Sequence, residues 1–193
     1  MSPIEHHPLP PFLPEEARLL MLGSFPPKKE RWSMDFYYPN FQNDMWRIFG
    51  LIFFDDKNYF IHGHNKSFDK EKLENFLIEK HIAISDMAIS VIRHKDNASD
   101  NFLEIVEPRN IKEILAKILM CNTVVTTGQK ATDTFTKIMD IEPPKIGDFT
   151  AFIFNDKPVR FYRMPSSSRA YPLKLEKKAR IYKEMLKQIA MMK

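Results

Sequence analysis

One cysteine, Cys121, in 193 residues leaves the chain without a disulfide framework, a cysteine-ligated cluster or a cysteine zinc site, and makes a reducing compartment the default. No apolar stretch approaches the length of a membrane span. The opening residues, with Glu5, His6, His7 and early prolines, lack the basic start and apolar middle of a signal peptide. A cytoplasmic protein with no membrane partner is expected. A dominant charge is also missing: 29 basic against 25 acidic residues give a formal net charge of +4, compatible with a polyanionic partner without demanding one. Three common catalytic signatures are absent as well. Gly23-Ser24-Phe25-Pro26 lacks the second glycine of a nucleophile elbow, and no Walker lysine or dinucleotide fingerprint occurs. His62 and His64 flank Gly63 without a third ligand nearby, so they read as a solvated loop and no metal is expected.

What is present concentrates between Met21 and Gly50. An apolar run, Leu19 to Leu22, ends at Gly23-Ser24, and Pro26-Pro27 then blocks continuation as helix or central strand, since proline fixes its torsion and donates no hydrogen bond. Phe36, Tyr37, Tyr38, Asn40, Gln42, Asn43 and Trp46 follow. Apolar planes beside amides suit a pocket for a flat, hydrogen-bonding ligand. The alternative, a small aromatic core beneath a long loop, stays open at this point.

A 44% hydrophobic content over this length suits one domain, residues 1–193, with 1–17 as an extended lead-in pinned through Phe12 and Leu13. The continuous apolar run of 18–23 predicts a strand buried on both faces. Helical spacing predicts helices from Asp44, over 69–80, over 110–120 with Asn110 and Glu113 as a capping start and Leu119 on the inner face, from Gly128, and from about Lys174. Further strands are expected at 81–85, 122–126, 151–154 and 159–164. Residues 87–109, with the polar run Arg93 to Asn97, read as a connecting loop or short helix. Strands alternating with helices predict an α/β protein, a three-layer α/β/α sandwich around a mostly parallel sheet, with function at the strand C-termini. The loops there are 23–43, 86 onward, 127–130 and 164–170. In the last, hydroxyls and backbone N–H groups of Ser166 to Ser168, between Arg163 and Arg169, offer a phosphate contact surface.

Taken together, Gly23-Ser24-Phe25-Pro26-Pro27, then Tyr37-Tyr38 and Asn43-Asp44-Met45-Trp46, resemble the first motif region of the uracil-DNA glycosylase superfamily, most of all its deoxyinosine (hypoxanthine) DNA glycosylase branch. Ile82 to Asp86 is similar to that branch's second segment, Thr127 to Ala131 to its NGGKA turn, and Met164 to Ala170 to its LPSTSPA loop. The resemblance implies a four-stranded parallel sheet between helix layers. It also implies an enzyme that needs no cofactor and, as a monomer, flips a deaminated base, hypoxanthine or uracil, out of DNA and hydrolyses its N-glycosidic bond. Asn43 would position the attacking water. Gly23, Ser24, Phe25, Pro26, Tyr38 and Asp86 would bind the base, and Lys130, Pro165, Ser166, Ser167, Ser168 and Arg169 would contact DNA. A helix-cap role for Asn43 is compatible with this. The chain departs from the pattern at Phe25, where mismatch-specific relatives carry asparagine, at Met164 and Arg169, and at Phe41. Those departures keep a second reading in view, a nucleobase- or damaged-DNA-binding homologue without turnover.

Overall fold

A computed structural model describes residues 3–94 and 100–192. Four parallel strands form the centre: β2 (Leu19–Gly23), β3 (Ile82–Asp86), β6 (Thr123–Thr127) and β8 (Lys157–Met164). A fifth, β7 (Phe149–Phe154), pairs antiparallel with β8 and gives the order β3-β2-β6-β8-β7. The expected four-stranded sheet is therefore five-stranded. The extra strand exists because Asn155 and Asp156 both take positive φ, +47° and +61°, as a two-residue hairpin turn requires.

β2 is buried at every residue. Leu19 and Met21 face one helix layer, with Met45, Ile48 and Phe49 of α1 (Met45–Phe54), Leu73 and Phe76 of α2 (Lys70–Glu79), and Tyr182 and Met185 of α5 (Leu175–Gln188). Leu20 and Leu22 face the other, with Ile111, Ile114 and Leu115 of α3 (Ile111–Lys117) and Ala131 and Phe135 of α4 (Gln129–Met139). This two-sided burial produces the continuous apolar run in the sequence. Asn110 caps α3 by accepting from the Glu113 N–H at 3.2 Å. That helix stops at Lys117, earlier than its apolar spacing predicts, which leaves Leu119 69% exposed and not on the inner face.

The largest correction concerns residues 87–109, which are neither loop nor helix over most of their length. They form β4 (Ala88–Arg93) and β5 (Leu103–Pro108), with a short 3-10 turn at Asp100–Phe102. β1 (Ile4–His6) joins β4 to complete a three-stranded antiparallel sheet, β1-β4-β5. Register shifts between Ala88 and Val91 break the two-residue alternation by which such a strand is recognised. Of the polar run, residues 95–97 lie outside the described residues. The lead-in is thus tied down by β1, by the Phe12–Ile84 bridge and by Phe12 packed edge-to-face on Phe36. Among the described residues, no helix is long and apolar enough to cross a membrane.

Cys121 is buried, its Sγ directed at Thr123 O (3.3 Å), and burial pushes its thiol pKa up to about 12. A thiolate is the reactive form. The native protein is therefore expected to be inert to Ellman's reagent at pH 8, with one equivalent of thiol released on unfolding in guanidinium. A stoichiometric reaction in the native state would overturn this.

Candidate active site

The C-terminal ends of β2, β3, β6 and β8 open onto one cleft of about 600 Å³. Every candidate residue lines it: Asn43, the Gly23 to Pro26 turn, Tyr38, Asp86, Lys130 and the Pro165 to Arg169 loop.

β2 delivers the floor. At Gly23 the Asp86 carboxylate comes so close that any Cβ would run into Oδ1, which is why the strand ends in glycine. The Ser24 hydroxyl donates to Asp100 Oδ2 at 2.6 Å. Phe25 leans edge-to-face on the His7 ring (5.3 Å) and packs against Ala88, Val91 and Leu103, so the aromatic at this departure point is a wall of the cleft. Pro26 O accepts from Arg93 Nη2 (3.0 Å), and Arg93 in turn grips both oxygens of Glu5 from β1 (2.9 and 3.0 Å).

Tyr38 adopts a left-handed backbone, φ +51°, which costs a residue with a Cβ on the order of 1 kcal/mol. Its hydroxyl bonds Thr127 Oγ1 (2.9 Å) and its ring meets Trp46 edge-on. Burial, reinforced by the Asp86 charge, raises the phenol's pKa and keeps it protonated. Asp86 is itself buried, and its Oδ2 accepts from His7 Nε2 at 2.8 Å. Asp100 is the second carboxyl of the cleft. Burial holds its pKa above the usual carboxylate range, the Ser24 hydroxyl opposing this and the Asp86 charge adding to it.

Asn43 stands immediately before α1. Its Oδ1 accepts from the Met45 N–H (2.9 Å), so the carboxamide caps the helix and is fixed in orientation at the cleft wall. Asp44 N donates to Ser167 O (2.9 Å), and Asn43 bridges Ser168, joining the serine loop to the start of α1. Beneath that junction the Asp44 carboxylate meets Arg169 Nε (3.1 Å) and Lys178 Nζ (3.2 Å), and Lys178 also donates to Ser168 O (2.8 Å). Lys178, on α5, is 0% exposed, and Tyr182 one turn on donates to Pro165 O (3.0 Å). The carboxylate of Asp44 is thus committed to the scaffold. Of the two cations flanking the serines, Arg163 is engaged by Gln129 Oε1 (2.5 Å) and Pro144 O, whereas the Arg169 side chain is half exposed at the cleft.

Three residues of this arrangement escape a reading of the sequence: His7, Asp100 and Lys178. The first two carry no local signal, because one sits in an extended lead-in and the other within a stretch that reads as a loop or short helix. Lys178 does carry one. It lies four residues before Tyr182 on the apolar face of α5, where a lone cation needs a buried partner. His62, by contrast, lies in an exposed loop with Nδ1 3.6 Å from Asp69 Oδ2, and among the described residues no group of three or more His, Cys, Asp or Glu could hold a metal ion.

No protein-family model matches the chain, and no curated protein matches it in sequence. Among solved structures, the NMR solution structure of a Methanosarcina acetivorans protein, described provisionally as a uracil DNA glycosylase, superposes with a TM-score of 0.60 at 18% identity. The match covers 94% of this chain and 98% of that one. At that identity the likeness is one of fold: an α/β sandwich with a central, mostly parallel sheet, spanning nearly all of both chains.

Proposed function

We propose that the protein is a DNA glycosylase that hydrolyses the N-glycosidic bond of a deaminated base, hypoxanthine or uracil, turned out of DNA into the cleft. The observation that carries this reading is the junction of Asn43 with the serine loop, directly facing a pocket walled by the Gly23 to Pro26 turn, Tyr38 and Asp86. A base must leave the stack for its glycosidic bond to be reached, at least cost where pairing is already weakened. A loop of hydroxyls and N–H groups next to Lys130 and Arg169 suits the phosphates on either side.

Hydrolysis then requires a placed water and a tolerated leaving base, because the sugar becomes oxocarbenium-like as the bond breaks. Asn43 Oδ1, held by the Met45 N–H, keeps a second lone pair to which a water can donate, leaving the water's own lone pair for the sugar carbon. Asp86 would repel an anionic leaving base if its charge were bare. The His7 N–H on its Oδ2 draws that charge away from the cleft. Duplex oligonucleotides holding one uracil, hypoxanthine or xanthine, treated with the protein and then alkali, are expected to break at the lesion; intact strands for all three would overturn the proposal.

Met164 favours the second reading, a binder without turnover. It is buried in the core, so no polar side chain from that position assists the departing base. That reading expects salt-sensitive binding to the same duplexes with no strand break.

A further inference from the structure

The proposed glycosylase leaves unexplained the carboxylate that the sequence did not disclose. Asp100 opens the 3-10 turn that leads into β5, and its Oδ2 is held by the Ser24 hydroxyl at the end of β2. The same Oδ2 lies 3.9 Å from where a Cβ on Gly128 would stand, a point that Ser166 Cβ approaches equally from its own side, so Asp100 lines the cleft between the floor and the turn at Gly128. Its second oxygen, Oδ1, has no hydrogen-bond partner and Asp100 forms no ion pair among the described residues, although no fully buried side-chain oxygen there lacks a partner. Oδ1 is therefore an acceptor open to the cleft. Asp86 is the more enclosed of the two, 6% exposed, with Oδ2 on His7 and Oδ1 turned toward Gly23. A bare carboxylate oxygen repels phosphate, so its occupant must be a donor.

We infer, resting on the glycosylase reading, that Asp100 determines specificity by accepting the ring N–H of the extruded base. Deamination changes the ring nitrogen next to the altered carbon. Cytosine N3 and adenine N1 are lone-pair acceptors, whereas uracil N3 and hypoxanthine N1 carry hydrogen. A carboxylate that accepts from N–H opposes a lone pair in the same place, so a single acceptor distinguishes each product from its parent base. The Ser24 hydroxyl, by donating to Oδ2, favours the charged form that does so. Ser24 is thereby a positioning residue for Asp100.

The test measures affinity and excision separately on duplexes that carry uracil or N3-methyluracil, the methyl group replacing the hydrogen in question. Affinity is measured with 2′-fluorinated nucleotides, whose glycosidic bonds resist cleavage, so the result does not depend on turnover. The protein is expected to prefer uracil by about 10–100-fold, the range for a hydrogen bond to a charged group, and Asp100→Ala to bring that ratio close to one. In Asp100→Asn, which preserves shape, the carboxamide can turn its NH₂ to a ring acceptor, so discrimination between uracil and cytosine is expected to relax. A ratio unchanged in both variants, or absent from the unmodified protein, would overturn the inference. Failure to cleave any base would overturn the glycosylase reading alone, since the affinity ratio still reports on Asp100. A ratio is insensitive to the fraction folded, and thermal melts of both variants exclude gross unfolding.

Discussion

Asn43→Ala is expected to slow single-turnover excision by about 10²–10³-fold, the usual loss when one group that places the reacting atoms is removed. Loss of the cap to Met45 N should also reduce stability by about 1 kcal/mol. These two effects separate in Asn43→Asp. A carboxylate at that position still caps α1, so stability is retained, while a further negative charge at the cleft wall repels a departing anionic base and leaves excision impaired. Urea denaturation reads the first quantity and rapid-quench kinetics the second. If Asn43→Ala matches the parent rate, Asn43 is only a cap and the water must be held elsewhere.

Asp44→Ala is expected to produce the largest change in stability of any single substitution at the site. It leaves the Lys178 ammonium sealed beneath the serine loop with Ser168 O as its remaining partner, and removing one member of a buried ion pair costs about 3–5 kcal/mol. For a chain of this length that corresponds to a fall in Tm of about 6–20 °C. The double variant Asp44→Leu/Lys178→Met removes both buried charges and should recover much of the loss, as apolar replacements of buried pairs do. Guanidinium or thermal melts of the single and double variants provide the check. If Asp44→Ala is neutral, Lys178 is not held by Asp44 in solution.

Both predictions concern one junction, and only half of it was legible in the sequence. Asn43 was readable because an asparagine before an apolar helical run announces a helix start, and because tyrosines and amides crowd the loop before it. β2 was readable because burial on both faces forces an unbroken apolar run. What escaped depends on contacts distant in sequence. β4 is hidden by its bulge, and β1 is too short to show a period. His7 and Asp100 acquire meaning only once β1 lies beside β4 and the turn at Asp100 reaches Ser24. The antiparallel fifth strand is intermediate: its turn residues, Asn155 and Asp156, advertise a hairpin, but whether that hairpin extends the main sheet is decided by the pairing of β8 with β6.

His7 meets Asp86 across 79 positions, Ser24 meets Asp100 across 76, and Asp44 meets Lys178 across 134. Pairings this remote must close long loops before any of them is rewarded, which places the cleft among the slow, late products of folding. On the ribosome, where residues emerge at roughly 5–20 per second, the floor strand and Asn43 appear early yet have nothing to work with. The serine loop gains its contacts with Lys178 and Tyr182 only once α5 follows it out of the exit tunnel. A growing or truncated chain therefore carries the motifs without the pocket until α5 has docked.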